Sequence, residues 1–462
     1  MTGSWKKVSS EDMFRRSVAP LLAGTTIQRA SSGATTIVLG LFLAQLTLHN
    51  GRHITSLQVG LLPVAFYITE LSLAPLMGGL SDRWGKRLFM TIGPLIGVVQ
   101  VGLLLFTPHT NPLPYLLALQ VLAGLSGAMV TPVVLGYLAD YTSADQKQRV
   151  RVMSLYELVT SGGIAVGVVL GGVMWDRLQR GSFGVLAVSY VLVALCLGLS
   201  PTVQRMVSHG SLPQVARRYW RVVRTPRLFI FIPAWVCINA LVGIWFSSQL
   251  TFILSKPIAH THQFLMGRMS GPGGGHMVSL VLGIFVLFFG LCLLFWAFFL
   301  THIPRLRLML ISIFGVYLSC VALFGINHHF GDKPLFAFWI PLLALGVFAE
   351  TSFAPSALAY LADISEESAR DRGLVMGLYS IFLGLGQILG NGLGGVFAGL
   401  YGFDGLIYLT VILACVALIS LLWLFGQERK QPLNLGPTDG NDGCATQLAP
   451  EEPLWVLPSR RS

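Results

Sequence analysis

Apolar stretches long enough to cross a lipid bilayer recur along the whole of this 462-residue chain. A helix needs about 20 predominantly apolar residues to span the hydrocarbon core. Twelve such stretches can be counted, at roughly 17–43, 54–80, 88–107, 113–139, 152–175, 182–202, 228–254, 278–300, 308–327, 335–361, 373–400 and 405–425. Hydrophobic residues make up 54% of the chain and charged residues only 11%, which excludes an ordinary soluble domain. The sequence therefore predicts an all-α membrane protein with twelve transmembrane helices.

Lys and Arg residues are unevenly distributed between the loops that join these stretches. If the amino terminus lies in the cytoplasm, the cytoplasmic segments hold 24 of the 31 Lys and Arg residues. A bias of this kind sets the orientation of membrane proteins. We therefore expect a multi-pass protein of the cell membrane, a bacterial inner membrane, with both termini in the cytoplasm. The net charge of +11 follows from this bias, and no basic patch with interleaved aromatics indicates nucleic-acid binding.

The chain contains an internal repeat with an offset of 223 residues. The segment YLADYTSADQKQRV begins at Tyr137, and YLADISEESARDRG begins at Tyr360. Because each half has six spans, an even number, the two halves keep the same orientation and form parallel pseudo-repeats. We predict a cytoplasmic N-terminal tail at 1–16, a six-helix bundle at 17–202, a cytoplasmic basic amphipathic linker at 203–227, a second six-helix bundle at 228–426 and a disordered cytoplasmic tail at 427–462.

A dense cluster of glycine and charge, GGLSDRWGKR at 78–87, separates predicted spans two and three. Charged side chains are costly in hydrocarbon, so this cluster predicts a tight reversal of the chain at a membrane face. The repeat offset places THIPRLRLML, at 301–310, in the same position of the second half. There only Arg305 and Arg307 preserve the positive charge.

Together, the twelve spans, the repeat and this cluster resemble the major facilitator superfamily of secondary transporters. The family signature in the loop between helices two and three is Gly-x-x-x-Asp-Arg-x-Gly-x-Arg, and here it is carried by Gly78, Asp82, Arg83, Gly85 and Arg87. The resemblance implies that this loop latches the two halves on the cytoplasmic side in the outward-facing state. It also implies that the charged inner ends of later helices share the latch, Asp140 with Arg149 and Asp363 with Arg372.

Two positions depart from the pattern of the proton-driven drug antiporters in this superfamily. Those transporters carry an Arg early in helix four and a Gly four residues later, where this chain has Gln120 and Gly124. Their helix-five motif, Gly-Pro-x-x-Gly-Gly, reads Gly-Val-Val-Leu-Gly-Gly at 167–172, without the proline. Neither departure excludes drug/proton antiport.

Three ionisable side chains, Arg29, Glu70 and Glu350, are expected near the middle of the membrane. Each lies twelve or thirteen residues from a charge at the predicted cytoplasmic face. An Arg at a helix centre costs about 2.5–3.5 kcal/mol on insertion, so such residues normally face a cavity or each other. Since carboxylates in apolar surroundings can exchange protons near neutral pH, we predict that Glu350 or Glu70 is the proton-coupling carboxylate. Arg29 is expected to pair with an anionic substrate group or with Glu70; a permanent ion pair that only fixes packing is the alternative.

The sequence favours a secondary active transporter that moves a small organic solute by alternating access, with proton-coupled efflux (drug/metabolite antiport) as its direction. The alternatives are proton-coupled uptake of a small organic anion and a non-transporting membrane sensor with the same fold. No Walker motif, nucleophile–base pair or metal-ligand cluster is present in the sequence, so we expect no enzyme activity, no cofactor and no metal. The expected partners are the solute, protons and the lipid bilayer, and the expected state is a monomer.

Overall fold

The structure is a computed structural model that describes residues 18–48, 51, 53–142, 146–200, 226–257, 262–299, 303–329, 333–366 and 372–430. These residues are almost entirely helical, and one isolated β-bridge joins Thr47 and His53. The predicted N-terminal tail lies outside the described residues. So do the predicted linker, apart from residues 226 and 227, and the predicted C-terminal tail beyond residue 430.

The described residues form fourteen helices, which we number in chain order. They are α1 (Ala19–Gln45), α2 (Ser56–Trp84), α3 (Lys86–Leu104), α4 (Pro112–Tyr141), α5 (Gln146–Leu178), α6 (Gly181–Gly198), α7 (Pro226–Trp245), α8 (Ser248–Ser255), α9 (Gly274–Phe299), α10 (Arg305–His328), α11 (Lys333–Glu350), α12 (Phe353–Glu366), α13 (Arg372–Tyr401) and α14 (Phe403–Lys430).

These fourteen helices make twelve membrane spans, because spans seven and ten are each broken into two helices. Span seven consists of α7 and α8, and span ten consists of α11 and α12. Eleven segments have the length and hydropathy of membrane spans, from Ser56 to Arg429. The twelfth, α1, is longer than most but carries a run of polar residues within TTIQRASS. The predicted count of twelve transmembrane helices is confirmed.

The break in span ten was not predicted from the sequence, in which the apolar stretch is continuous. Ser352, at the break, has a hydroxyl that lies 2.7 Å from the backbone oxygen of Ala349 and 3.3 Å from that of Leu308 on α10, and it can donate to either. Pro355 follows at the third position of α12. A proline has no N–H to continue the hydrogen-bond ladder, and its ring crowds the carbonyl four residues earlier, which here belongs to Thr351. The helix therefore restarts at Phe353.

The contacts between helices repeat from one half to the other, as a parallel pseudo-repeat requires. In the first half α1 packs against α5 and α6, and in the second half α7 packs against the equivalent helices α13 and α14. In the same way, α3 packs against α4 and α6, and α10 packs against α11 and α14. Between the halves, α2 contacts α13, and its counterpart α9 contacts α5. The predicted fold class is confirmed at this level of detail.

The two halves meet mainly in one leaflet of the predicted membrane. We call the face at which α2 turns into α3 the basic face and the other side the opposite face. At the opposite face, α1 contacts α8 at Gly40, and α2 contacts α13 at Gly60, where an added Cβ would lie 2.6 Å from the backbone oxygen of Asn391. Towards the basic face, side chains of α2 such as Leu76 and Trp84 are exposed, Trp84 by 67%. Among the described residues, the contacts between the halves thus lie towards the opposite face, and these side chains of α2 towards the basic face are open.

Candidate functional site

Arg29 lies in α1, where that helix packs against α5. An added Cβ at Gly163 of α5 would lie 2.9 Å from the Cβ of Arg29, so the glycine makes room for the arginine side chain. The Nε atom of Arg29 is buried and has no hydrogen-bond partner among the described residues. Its charge acts on three side chains nearby, those of Tyr67, Glu70 and Tyr190. Arg29 is therefore a partly buried cation whose buried Nε has unused hydrogen-bonding capacity.

Glu70 lies in α2 and points towards α4. An added Cβ at Gly127 would lie 3.0 Å from Oε1 of Glu70, and one at Gly124 would lie 2.5 Å from the backbone oxygen of Phe66. These two glycines let α2 and α4 approach closely, with the carboxylate between them. Within the described part of the chain, no ion pair of 4.0 Å or less joins Arg29 to Glu70. The alternative of a permanent Arg29–Glu70 ion pair is therefore not supported by this geometry.

Glu350 ends α11, immediately before the break in span ten. Its Oε2 accepts a hydrogen bond from the hydroxyl of Ser319 on α10, at 3.0 Å. Gly346 makes room for this contact, because an added Cβ there would lie 2.5 Å from the Ser319 hydroxyl oxygen. No cation lies within 4.0 Å of this carboxylate among the residues that the structure describes. The role of Ser319 was missed by the sequence analysis, because the repeat-equivalent position, Ile96, carries no polar group.

Among the described residues, no ion pair of 4.0 Å or less joins Arg29 to either carboxylate. Arg29 and Glu70 lie in the first half, and Glu350 lies in the second half beside α10. The repeat nevertheless relates the two carboxylates. The position equivalent to Glu350 is Gly127, which is the residue that Oε1 of Glu70 approaches. Each half thus places one carboxylate at the same point of its fourth span. In the first half Glu70 reaches this point from α2, and in the second half Glu350 lies on the fourth span itself, in α11.

The signature loop at the basic face turns at Gly85, which ends α2 and precedes α3. Gly85 has φ 101° and ψ 129°, a conformation that glycine adopts without the steric penalty of other residues. Gly78 lies in α2, where an added Cβ would meet no atom within 4 Å. Arg83 and Arg87 are exposed. The loop therefore keeps two arginines on the membrane surface.

Lys86 is the residue that ties this loop to α4. Its Nζ forms an ion pair with Asp140 near the end of α4 and lies 3.6 Å from Oδ1 of Asp82. Both partners of the first pair are partly buried, with side-chain exposures of 16% for Lys86 and 22% for Asp140. Asp140 was expected to act with Arg149, whose side chain lies outside the described residues. The structure assigns Asp140 a partner from the signature loop itself.

The equivalent acid of the second half, Asp363, pairs with Arg305 at the start of α10. Arg305 also donates a hydrogen bond to the backbone oxygen of Ala359, at 3.0 Å. The predicted partner of Asp363, Arg372, begins α13, and its side chain is outside the described residues. In both halves, an ion pair therefore joins the basic-face end of the fourth span to the start of the third span.

We expect Lys86→Met to destabilise the protein by roughly 1 kcal/mol, because it leaves a partly buried carboxylate without its cation. The thermal unfolding midpoint of the purified full-length protein is the measurement. Arg83→Met is the matched control: it removes an exposed charge from the same loop and should change stability by less than about 0.5 kcal/mol. In a double-mutant cycle with Asp140→Asn, the two effects should be non-additive. Purely additive effects would contradict the pairing.

His328, the last residue of α10, contacts a carboxylate of α14. Its Nε2 lies 2.9 Å from Oδ2 of Asp404, and the amide of Asn327 donates to Oδ1 of the same carboxylate at 2.8 Å. Among the described residues, no group of three or more His, Cys, Asp or Glu side chains is arranged to hold a metal. The pair joins α10 to α14 within the second half.

The Major Facilitator Superfamily profile matches this chain at residues 22–275 and 273–460. Since these matches cover most of the chain, the protein belongs to the major facilitator superfamily, and the resemblance inferred from the sequence is confirmed. Members of this family are transporters and not enzymes, as predicted. The chain is therefore a multi-pass integral membrane protein of a family that moves small-molecule solutes.

Curated relatives match over a part of their length. The chain is 27% identical to the quinolone resistance protein NorA of Staphylococcus aureus (strain MRSA252) over 186 residues, which is 39% of this chain and 47% of NorA. It is 33% identical to the methyl viologen resistance protein SmvA of Salmonella typhimurium (strain 14028s / SGSC 2262) over 122 residues, 26% of this chain and 24% of SmvA. These alignments therefore span less than half of either relative.

Solved structures match over nearly the whole fold. The nucleoside transporter NupG superposes with a TM-score of 0.68 at 16% identity, covering 88% of this chain and 98% of NupG. A bacterial homologue of the human lysosomal transporter Spinster, in an inward-facing and occupied conformation, gives a TM-score of 0.63 at 14% identity, covering 89% of this chain and 96% of that protein. At such identities the likeness establishes the fold alone.

Proposed function

We propose that this protein exports a small organic solute across the cell membrane by alternating access, in exchange for protons. The observation that carries the proposal is Glu350, a carboxylate in a membrane span with one hydroxyl partner and no cation within 4.0 Å among the described residues. An ionised carboxylate is costly in apolar surroundings, and binding a proton removes that cost. Such a group is suited to binding a proton in one conformation and releasing it in another.

The contacts between the halves towards the opposite face, and the exposed side chains of α2 towards the basic face, support alternating access. If the basic face is cytoplasmic, as the Lys and Arg distribution predicts, the structure corresponds to an inward-facing state. Alternating access then requires the contacts at the opposite face to break and the halves to meet at the basic face. The signature loop, with Asp82, Lys86 and the adjoining Asp140, lies where the halves would meet in that second state.

The direction of transport is proposed from the relatives and from the charges. NorA and SmvA are named for resistance to quinolones and to methyl viologen, which favours efflux for this chain. Two carboxylates against one arginine in the spans favour a cationic or a neutral lipophilic solute over an anion. The missing helix-four arginine, replaced by Gln120, makes Glu350 or Glu70 the preferred site for the proton.

One observation favours the second candidate, proton-coupled uptake of a small organic anion. The buried Nε of Arg29 has no hydrogen-bond partner among the described residues, and Arg29 is not paired with Glu70 within 4.0 Å. A partly buried guanidinium with an unused Nε donor is a suitable binding group for a carboxylate or a phosphate. In this alternative Arg29 would bind the anionic group of the solute.

Both candidates can be tested with purified full-length protein in liposomes that carry an imposed pH gradient. The test solutes are a fluoroquinolone, methyl viologen and, for the anion alternative, a small aromatic carboxylate. Antiport predicts that a quinolone or methyl viologen accumulates in the compartment from which protons leave. Accumulation of the carboxylate together with protons would favour symport. If no solute moves faster than in empty liposomes, with or without the gradient, the transport proposal fails and a non-transporting sensor is favoured.

A further inference from the structure

At the opposite face, α5 of the first half is joined to α9 of the second half by one carboxylate. Oδ1 of Asp176 accepts a hydrogen bond from the backbone N–H of Gly275 at 3.1 Å, and Oδ2 accepts one from the N–H of His276 at 2.6 Å. Because α9 begins at Gly274, these donors belong to its first turn, where N–H groups have no partner within the helix. The positive end of the helix dipole strengthens the contact with an anion.

One turn further into the membrane, Ser279 of α9 inserts its hydroxyl into α5. The hydroxyl donates to the backbone oxygen of Val168 at 2.9 Å and accepts from the N–H of Gly172 at 2.8 Å. These are the two groups that a regular helix pairs with each other. Ser279 is 1% exposed. The two helices are therefore in backbone contact, and Asp176 lies directly above that contact at the membrane face.

We propose that Asp176 is the positioning residue that holds the opposite face closed, by anchoring the start of α9 to the end of α5. The inference rests on the alternating access proposed above, in which these two helices must separate once in every cycle. Asp176 and its two donors belong to different halves, so both hydrogen bonds break when the halves part. Hydrogen bonds to a charged acceptor are stronger than neutral ones. Because both bonds must break before the halves separate, each one makes opening of this face less frequent.

Buried polar groups on two helices that contact the first half act in the opposite direction and favour opening. Gln249 of α8 and Asn391 of α13 are fully buried. Neither polar atom of the Gln249 amide has a hydrogen-bond partner in the described part of the chain, and Oδ1 of Asn391 has none there either. Unpaired buried polar groups are unfavourable, and water would hydrate them when the halves separate. Because these unpaired polar atoms make the closed face less stable, a specific contact is needed to keep it closed, and Asp176 provides that contact.

The test measures how often the opposite face opens, in purified full-length protein and without any solute. The reporter is Thr251→Cys on α8, because Thr251 is 0% exposed and contacts Gly40 of α1 across the interface. A soluble maleimide reaches this cysteine only when the face opens. The background protein carries Cys444→Ser, and its own labelling is subtracted. We expect Asp176→Ala to speed labelling by at least about tenfold, because it removes both hydrogen bonds and the loss of one charge-assisted bond would already produce a change of that size. Asp176→Asn should speed labelling less.

Asp404→Asn is the matched control. This carboxylate also binds an asparagine and a histidine near the same face, but all of these residues belong to the second half. It should lower the thermal unfolding midpoint and leave the labelling rate unchanged. Labelling of Asp176→Ala at the wild-type rate would overturn the proposal; if that variant does not fold, Asp176→Asn at the wild-type rate does so. If Asp176→Ala labels faster but the protein moves no solute, the proposed transport function is wrong, whereas the proposed role of Asp176 in closing this face is supported.

Discussion

We expect Glu350→Gln to abolish the accumulation of solute that a pH gradient drives into or out of liposomes. Glutamine has the shape of glutamate, and its amide oxygen can still accept the hydrogen bond from the Ser319 hydroxyl. It cannot bind and release a proton, so coupling is lost while the packing of α10 against α11 is kept. Exchange of solute down its own gradient should continue at close to the wild-type rate. The measurement is uphill and downhill transport of the same solute by the same preparation.

Three further variants determine how that result is interpreted. Glu350→Asp keeps a titratable group one methylene shorter, so it should restore part of the uphill transport. Glu157→Gln is the matched control, since Glu157 is an exposed carboxylate on α5 nearer the basic face, and it should behave as wild type. Loss of uphill transport in Glu70→Gln alone would assign the proton to the first half. Uphill transport that survives in Glu350→Gln at the wild-type level would contradict the proposed role.

The spans and the repeat could be predicted because they depend on features that are local in the sequence. Each span is a continuous apolar run, and the offset of 223 residues aligns whole helices: it carries α3, at 86–104, onto 309–327, within α10 at 305–328. The break in span ten could not be predicted in this way. Pro132 of α4 is equivalent to Pro355, yet α4 is continuous. The break also involves the contact of Ser352 with α10, which only tertiary packing creates.

The ion-pair partners of Asp140 and Asp363 at the basic face show a second limit of prediction from the sequence. Asp140 and Asp363 are aligned by the repeat and could be named from the sequence, but their cations are not aligned. Lys86 is equivalent to Met309, and Arg305 is equivalent to Asp82. The two halves therefore supply this cation from equivalent loops, but from different positions within those loops. A one-dimensional comparison detects conserved spacing, and it fails where two loops reach the same point in space from different residues.

For the three charges expected near the middle of the membrane, the sequence predicts a depth but not which side chains lie next to them. Counting residues from the charges at the basic face gives the depth, because a helix rises 1.5 Å per residue. It does not give the direction in which a side chain points. The relevant signals were the glycines at 124, 127 and 346, which allow close approach and so indicate the faces of α4 and α11 on which a neighbouring side chain lies. Spans without such glycines offer no comparable signal.

The second large effect is expected for Gly172→Ala, which adds a single methyl group where α5 meets α9. The new Cβ would lie 1.9 Å from the backbone oxygen of Gly275 and 2.3 Å from the hydroxyl oxygen of Ser279. A backbone atom cannot move aside without moving its helix, so α9 must withdraw and the opposite face cannot close fully. Overpacking of this kind costs about 1–3 kcal/mol. The ratio of closed to open molecules should therefore fall by about 5- to 150-fold.

Two measurements check this expectation, and a neighbouring glycine supplies the control. Solute transport in liposomes should fall about 5-fold or more, in line with the change in the ratio of closed to open molecules, and maleimide labelling of the Thr251→Cys reporter should become faster. Gly162→Ala lies on the same helix, where an added Cβ meets no atom within 4 Å, and alanine should stabilise that helix by up to about 1 kcal/mol. It should leave transport and labelling unchanged. If Gly172→Ala behaves like Gly162→Ala in both assays, then α5 and α9 do not need this close contact, and closure of the opposite face must depend on α1 with α8 and α2 with α13 instead.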